Sequence, residues 1–291
     1  MIPPALPPGG ESRPVTLQDA LQQAAAAGID RTDARMLLLL ALQRDPHDRA
    51  WLLAHESDPL PADAATRLDT LVQRRQRGEP MAYLRGDQEF FGLTLRVDPR
   101  VLVPRPDTET LVHWALDLLD TLPGAATVLD LGTGSGAIAL ALKAQRPGHP
   151  VCATDASAAA LAVAQANAAR LGLAVEFQAG HWLAAVPGRR FDLIVSNPPY
   201  IAEGDHHLPA LAHEPTSALT AGTDGLDDIR ALVAGAPAAL QPGGWLLLEH
   251  GHDQAPAVRR LLSTAGFAHI GSRADLAGIE RCSGGQWPQQ R

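Results

Sequence analysis

Val128-Leu129-Asp130-Leu131-Gly132-Thr133-Gly134-Ser135-Gly136 runs directly into the apolar stretch AIALALKAQ. A short hydrophobic strand feeds a glycine-rich turn, and the turn opens a helix. Glycines let the backbone pass close to a ligand, and the free N–H groups at a helix start can hydrogen-bond it. A dinucleotide dehydrogenase also has such a turn, but with the spacing G-x-G-x-x-G. Here the spacing is G-x-G-x-G, with Asp130 just ahead of it.

Working outward, strand and helix patterns alternate on the C-terminal side. PVCATD reads as a strand, SAAALAVAQANAARLG as a helix, and AVEFQ and FDLIVS as strands. After a long loop come a helix through LDDIRALVAGAPAAL and the strand GWLLLEH. This order predicts an α/β domain with a largely parallel sheet. On the N-terminal side the chain reads as helices: LQDALQQAAAAG behind Thr16 and Asp19 as a capping box, ARMLLLLALQR, RAWLLAHES, and a segment from Pro61 to Gly78. Arg74, Arg75 and Arg77 cluster in its last turn, where they are expected to complement the helix dipole, with a partner-binding patch as the alternative. Between the two regions, FFGLTLRVDPRVLVPRP has short β-rich runs broken by Gly and Pro, as a hairpin linker would. The expected organisation is a disordered tail at 1–14, a helical N-terminal domain at 15–88, a hairpin linker at 89–107 and a catalytic domain at 108–291.

Composition narrows the function. The chain has 291 residues, 46% hydrophobic and 19% charged, which is enough for a packed core. Its 24 basic and 32 acidic side chains give a formal net charge of -8, and Lys143 is the only lysine. A non-specific nucleic-acid binder needs a basic footprint, so no direct nucleic-acid partner is expected. No apolar run approaches the roughly 20 residues of a membrane span, so no membrane association is expected. Cys152 and Cys282 fit no metal or redox spacing, and the expected setting is a reducing cytoplasm. His206, His207 and His213 lack an ordered ligand spacing, and no metal is expected.

Two further features carry chemistry. Asp155 ends the strand after the glycine turn, about 20 residues on, where an acid can accept hydrogen bonds from ribose hydroxyls. Asp155 could instead cap the next helix, although Ser157 is available for that. The second feature is Asn197-Pro198-Pro199-Tyr200 at the end of the strand FDLIVS, where open α/β sheets bind ligands. A planar NH2 group is a poor nucleophile because its lone pair is delocalised. The Asn197 side-chain oxygen and the Pro198 carbonyl can each accept one of its N–H groups and so orient it for methyl transfer. Proline stiffens the loop, and Tyr200 can pack on the planar target.

These motifs, together with Arg77-Gly78-Glu79-Pro80, Tyr83-Leu84-Arg85-Gly86, Glu89-Phe90-Phe91-Gly92, Pro104-Arg105-Pro106-Asp107-Thr108-Glu109, Glu214-Pro215 and Leu248-Glu249-His250-Gly251, resemble the bacterial HemK/PrmC family. That resemblance implies a Rossmann-like class I methyltransferase domain preceded by a small all-α bundle and a β-hairpin linker. It implies an S-adenosyl-L-methionine-dependent protein-(glutamine-N5) methyltransferase, with S-adenosyl-L-homocysteine as product, acting on the GGQ loop of peptide chain release factors in translation termination. A monomer is expected. Gly132, Thr133, Gly134, Ser135, Gly136, Asp155, Trp182 and Asn197 would bind the donor. Asn197, Pro198, Pro199 and Tyr200 would bind the glutamine, with Asn197, Pro198 and Tyr200 catalytic. His181 stands where the family often has an acidic or amide residue, which affects the adenine contact.

NPPY is also found in nucleic-acid amino-methyltransferases acting on adenine N6 or guanine N2, and these form the alternative reading. A nucleotide-binding module without methyl transfer is a second rival. Ser283-Gly284-Gly285-Gln286 contains GGQ, the tripeptide that the family's substrates present; coincidence in a Gly- and Gln-bearing tail is expected, with self-methylation or product mimicry as the alternative.

Overall fold

The computed structural model describes residues 14–122 and 124–289, in two units that divide between Arg85 and Gly86. The tail expected at 1–14 therefore lies outside the described residues, except for Pro14.

The first unit is helical: α1 (Leu17–Ala26), α2 (Arg31–Ala41), α3 (Arg49–Ala54), α4 (Ala62–Gln76) and α5 (Met81–Arg85). The capping box forms as its sequence implies. The Thr16 hydroxyl accepts the Asp19 N–H, and the Asp19 carboxylate accepts the Thr16 N–H at 2.9 Å. Leu17, Leu37, Leu38, Leu52 and Leu68 fill the core of this bundle. Two of the clustered arginines are spent inside the unit: Arg74 on Glu79 and Arg75 on Asp33. α5 was not read from the sequence.

The second unit opens with the hairpin β1 (Asp87–Phe90) and β2 (Leu93–Arg96). Phe90 pairs with Leu93, so the turn has only Phe91 and Gly92, both at positive φ (51° and 75°). Such a two-residue turn matches the natural strand twist.

Then follow α6 (Glu109–Leu119), β3 (Val128–Leu131), α7 (Ala137–Gln145), β4 (Val151–Asp155), α8 (Ala158–Leu171), β5 (Glu176–Ala179) and β6 (Phe191–Ser196). The unit ends with α9 (Asp227–Ala239), β7 (Leu240–Glu249), α10 (Ala255–Thr264), β8 (Ala268–Ala274) and β9 (Glu280–Gln286). The sheet order is β5-β4-β3-β6-β7-β9-β8; β5 through β7 are parallel, and β9 pairs antiparallel with both β7 and β8. α6, α7 and α8 pack on one face of the sheet and α9 and α10 on the other.

The chain leaves β3 for β4 on one side and returns to place β6 on the other. That reversal is the topological switch point where such sheets bind ligands. It sets four consecutive C-terminal strand ends in a row: Asp155 on β4, Leu131 on β3, Ser196 on β6 and Glu249 on β7.

The C-terminal segment is strand rather than tail. Gly284 and Gly285 pair with Leu247 and Leu246, and the Gln286 side-chain amide donates to the Gly243 carbonyl at 2.8 Å. A Cβ on Gly284 would sit 2.7 Å from the Leu246 carbonyl oxygen, so close strand packing requires a glycine there. The GGQ tripeptide is thus part of the sheet.

Candidate active site

A cavity of ≈ 270 Å³ opens at the switch point. Gly132, Gly134, Asp155, Trp182, Asn197 and Pro199 line it, which brings together residues from three strand ends. Thr133, Ser135, Gly136, Pro198 and Tyr200 are not among its lining residues. The Thr133 hydroxyl donates instead to Asp130 Oδ2 at 2.6 Å, and Ser135 is buried with its carbonyl accepting from Asn167 Nδ2 at 2.9 Å. These two residues shape the turn from within.

The turn needs its glycines. Gly132 has φ 72°, and a Cβ there would meet the Trp182 ring at 3.1 Å. Behind it, Asp130 is wholly buried, and burial pushes its carboxyl up to about 7. Asn167 on α8 fastens the turn to the hairpin: its Oδ1 accepts the Arg96 N–H at 2.7 Å and its Nδ2 donates to the Arg96 carbonyl at 3.0 Å.

Asp155 is held in place by backbone. One carboxylate oxygen accepts the Gly134 N–H at 2.9 Å and the other the Ser157 N–H at 2.8 Å. Ser157, not Asp155, caps α8 by accepting the Ala160 N–H at 3.2 Å. A carboxylate has about four acceptor positions, so two remain for a diol. Trp182 sits at φ 47° in a 3-10 turn (Trp182–Ala185), and its indole N–H donates to Asp228 Oδ1 at 3.1 Å. Asp228 lies in the first turn of α9, 46 residues away, and sequence reading did not find it. His181 lines the cavity and meets Trp182 edge to face, with ring centroids 5.5 Å apart.

The NPPY loop is fixed from behind. Asn197 Nδ2 donates to Thr108 Oγ1 at 3.3 Å, which leaves Oδ1 with no hydrogen bond among the described residues. The Tyr200 hydroxyl donates to Glu249 Oε1 at 3.4 Å, and the Tyr200 carbonyl accepts from Gln254 Nε2 at 3.0 Å. Burial raises the Tyr200 phenol above its ordinary range, so it is a donor at neutral pH.

Each polar side chain of the PRPDTE segment ties down a different element. Arg105 pairs with the buried Glu214, which also accepts the Val103 N–H at 3.0 Å. Glu214 is therefore a loop anchor. Asp107 pairs with Arg281 at 3.1 Å, Thr108 holds Asn197, and Glu109 accepts the Phe91 N–H at 3.0 Å. Across the loop beyond Tyr200, the ligating atoms of Asp205, His206 and His207 lie within 4.8 Å of one another, and both histidines are exposed.

The donor set fits S-adenosyl-L-methionine. A carboxylate with spare acceptor positions suits a ribose diol, the glycine turn suits close backbone approach, and an indole face suits a flat base. The parallel sheet, the switch-point cavity and NPPY at its rim define a class I methyltransferase.

Comparison with known proteins agrees and goes further. The methyltransferase small domain matches residues 115–222, and the PrmC N-terminal domain matches residues 16–86. The chain is 52% identical over 272 residues to the release factor glutamine methyltransferase of Xylella fastidiosa (strain Temecula1), spanning 92% of this chain and 98% of that one. It is 52% identical over 264 residues to the Bordetella pertussis protein of the same name, spanning 90% and 96%. The chain belongs to the release factor glutamine methyltransferase family. A methyltransferase from Pyrococcus furiosus shares the fold, with TM-score 0.53, 21% identity and coverage of 75% of this chain and 100% of that one. Among the described residues no helix is long and apolar enough to cross a membrane.

Proposed function

We infer that this chain is an S-adenosyl-L-methionine-dependent protein-(glutamine-N5) methyltransferase whose substrate is the GGQ glutamine of peptide chain release factors. The observation that carries this reading is the NPPY loop at the switch-point cavity, with the Asn197 amide nitrogen engaged from behind by Thr108. When bound, S-adenosyl-L-methionine supplies an electrophilic methyl group on a positively charged sulfur.

The chain's own residues hold and orient. Asp155 takes the ribose hydroxyls, the 132–136 turn the amino-acid portion, and Trp182 the adenine. Asn197 Oδ1 and the Pro198 carbonyl accept the two N–H groups of the glutamine amide, so that its lone pair faces the methyl. Tyr200 and Pro199 wall the planar group. Positive charge developing on the nitrogen is stabilised by those two oxygens. A proton leaves for water after transfer, so no general base and no metal is required. The helical unit serves docking of the release factor, and the enzyme acts as a cytoplasmic monomer.

Asn197→Ala tests the mechanism. Methyl transfer is expected to fall by orders of magnitude while donor affinity is largely kept. Near-normal turnover by that variant would sink it.

A further inference from the structure

The Pro-Pro step leaves the NPPY loop short of anchors. Neither Pro198 nor Pro199 has an N–H to give, and in the methyl-transfer reading the Pro198 carbonyl belongs to the substrate. Fastening therefore falls on the residues at the two ends. Asn197 is engaged through its amide nitrogen. Tyr200 is engaged at two points, its hydroxyl and its carbonyl.

The carbonyl is gripped by Gln254, 54 positions away and immediately before α10. The direction of the Gln254 amide is fixed by its neighbours. The Gly251 N–H, which can only donate, reaches Gln254 Oε1 at 2.8 Å. Nε2 is thus the other end, and it faces three backbone carbonyls: Tyr200 at 3.0 Å, Asp224 at 3.3 Å and Gly225 at 3.4 Å. Two amide hydrogens serve these three acceptors, and Tyr200 is the nearest. Gly225 makes the approach possible. Its φ is 71°, and a Cβ there would run into the Tyr200 carbonyl oxygen. One residue further on, Ile201 donates its N–H to the Leu219 carbonyl at 2.9 Å and accepts the Ala221 N–H at 3.0 Å. Gln254 closes this arrangement: a single side chain joins the end of the NPPY loop, the entrance to α9 and the turn after β7.

We propose that Gln254 is a positioning residue for methyl transfer: by holding the Tyr200 carbonyl it fixes the exit of the NPPY loop, and with it the Pro198 carbonyl and the Tyr200 ring. The two proline rings lock φ at successive residues, so a displacement at Tyr200 is passed along the loop rather than absorbed in it. Orientation is what this site supplies to the reaction, and small misplacements are costly to rate. The proposal rests on the methyl-transfer reading and adds to it a residue that does not touch the substrate.

The test uses Q254E and Q254M. Both keep a side chain of similar length; the first turns an acceptor toward the three carbonyls, and the second removes the polar group. The chain has two tyrosines, Tyr83 and Tyr200, so protein labelled with 13C at the tyrosine carbonyl gives two resonances. Added 15N-isoleucine splits that of Tyr200 alone, because Ile201 follows it whereas Leu84 follows Tyr83. In both variants the Tyr200 carbonyl resonance is expected to move upfield as its hydrogen bond is lost, while that of Tyr83 stays. On release factor kcat is expected to fall about tenfold or more. S-adenosyl-L-homocysteine affinity and KM for release factor are expected to change by less than about threefold. A Tyr200 resonance that stays in place in both variants overturns the proposal, and so does a moved resonance with kcat within about threefold of wild type. Loss of S-adenosyl-L-homocysteine binding in both variants also overturns it, since Gln254 would then maintain the fold rather than the loop. A wild type that leaves release factor unmethylated removes the functional reading instead, and the Tyr200 resonance alone then decides whether Gln254 holds the loop.

Discussion

The Asp155 carboxylate accepts the Gly134 N–H at 2.9 Å and thereby joins the end of β4 to the turn after β3. The two residues are 21 positions apart, and the bond fixes both the carboxylate and the turn's backbone. Replacing Asp155 by Ala removes two backbone anchors and, on the proposed function, the diol acceptor with them. Donor affinity is expected to fall on the order of 100-fold, since a hydrogen bond to a charged group contributes about 1.5–3 kcal/mol. Calorimetric titration with S-adenosyl-L-homocysteine reads this directly; affinity within threefold of wild type would remove Asp155 from the ribose site.

Asp130 gives a pH dependence with a definite sign. Its folded value, about 7, lies above its ordinary 3.8 because it is buried. Such an acid contributes stability below its unfolded value and loses that contribution as pH rises through the folded value. His250, buried and held below its ordinary value by desolvation, acts in the opposite sense at acidic pH. The comparison is therefore between wild type and Asp130→Asn. The variant's unfolding free energy relative to wild type, from urea denaturation, is expected to rise from pH 5 to pH 8 by an amount on the order of 1–3 kcal/mol. A constant difference across that range would show that Asp130 does not change its proton affinity on folding.

Gly284 is where the internal GGQ meets the sheet. Gly284→Ala is expected to destabilise the second unit by about 1–3 kcal/mol, because a Cβ there would crowd the Leu246 carbonyl and the Leu247 side chain. Chemical denaturation measures it. Correspondingly, Gln286 is not expected to be a substrate, and intact mass after incubation with donor alone is expected to stay unchanged. An added methyl on Gln286 would contradict the strand assignment.

Much of this was legible in the sequence where the determinants are local. The glycine turn after β3, Asp155 at the end of β4 and NPPY at the end of β6 each follow from a strand pattern and its immediate successor. So does the Thr16–Asp19 capping box. What was not legible depends on partners far apart in the chain. Thr108 meets Asn197 across 89 positions, Glu214 meets Val103 across 111, and Trp182 meets Asp228 across 46. No periodicity encodes such pairings. The C-terminus misled for a different reason. β9 is rich in glycine and polar residues because it packs tightly between β7 and β8, and that composition reads as loop.

The most direct measurement is transfer of labelled methyl from S-adenosyl-L-methionine to a purified bacterial release factor, beside the same factor with Gln→Ala in its GGQ loop. DNA and RNA are assayed alongside. The expected result is label on the wild-type factor, none on the altered one and none on nucleic acid. Label on nucleic acid with none on release factor would contradict the account and favour an amino-methyltransferase acting on a base.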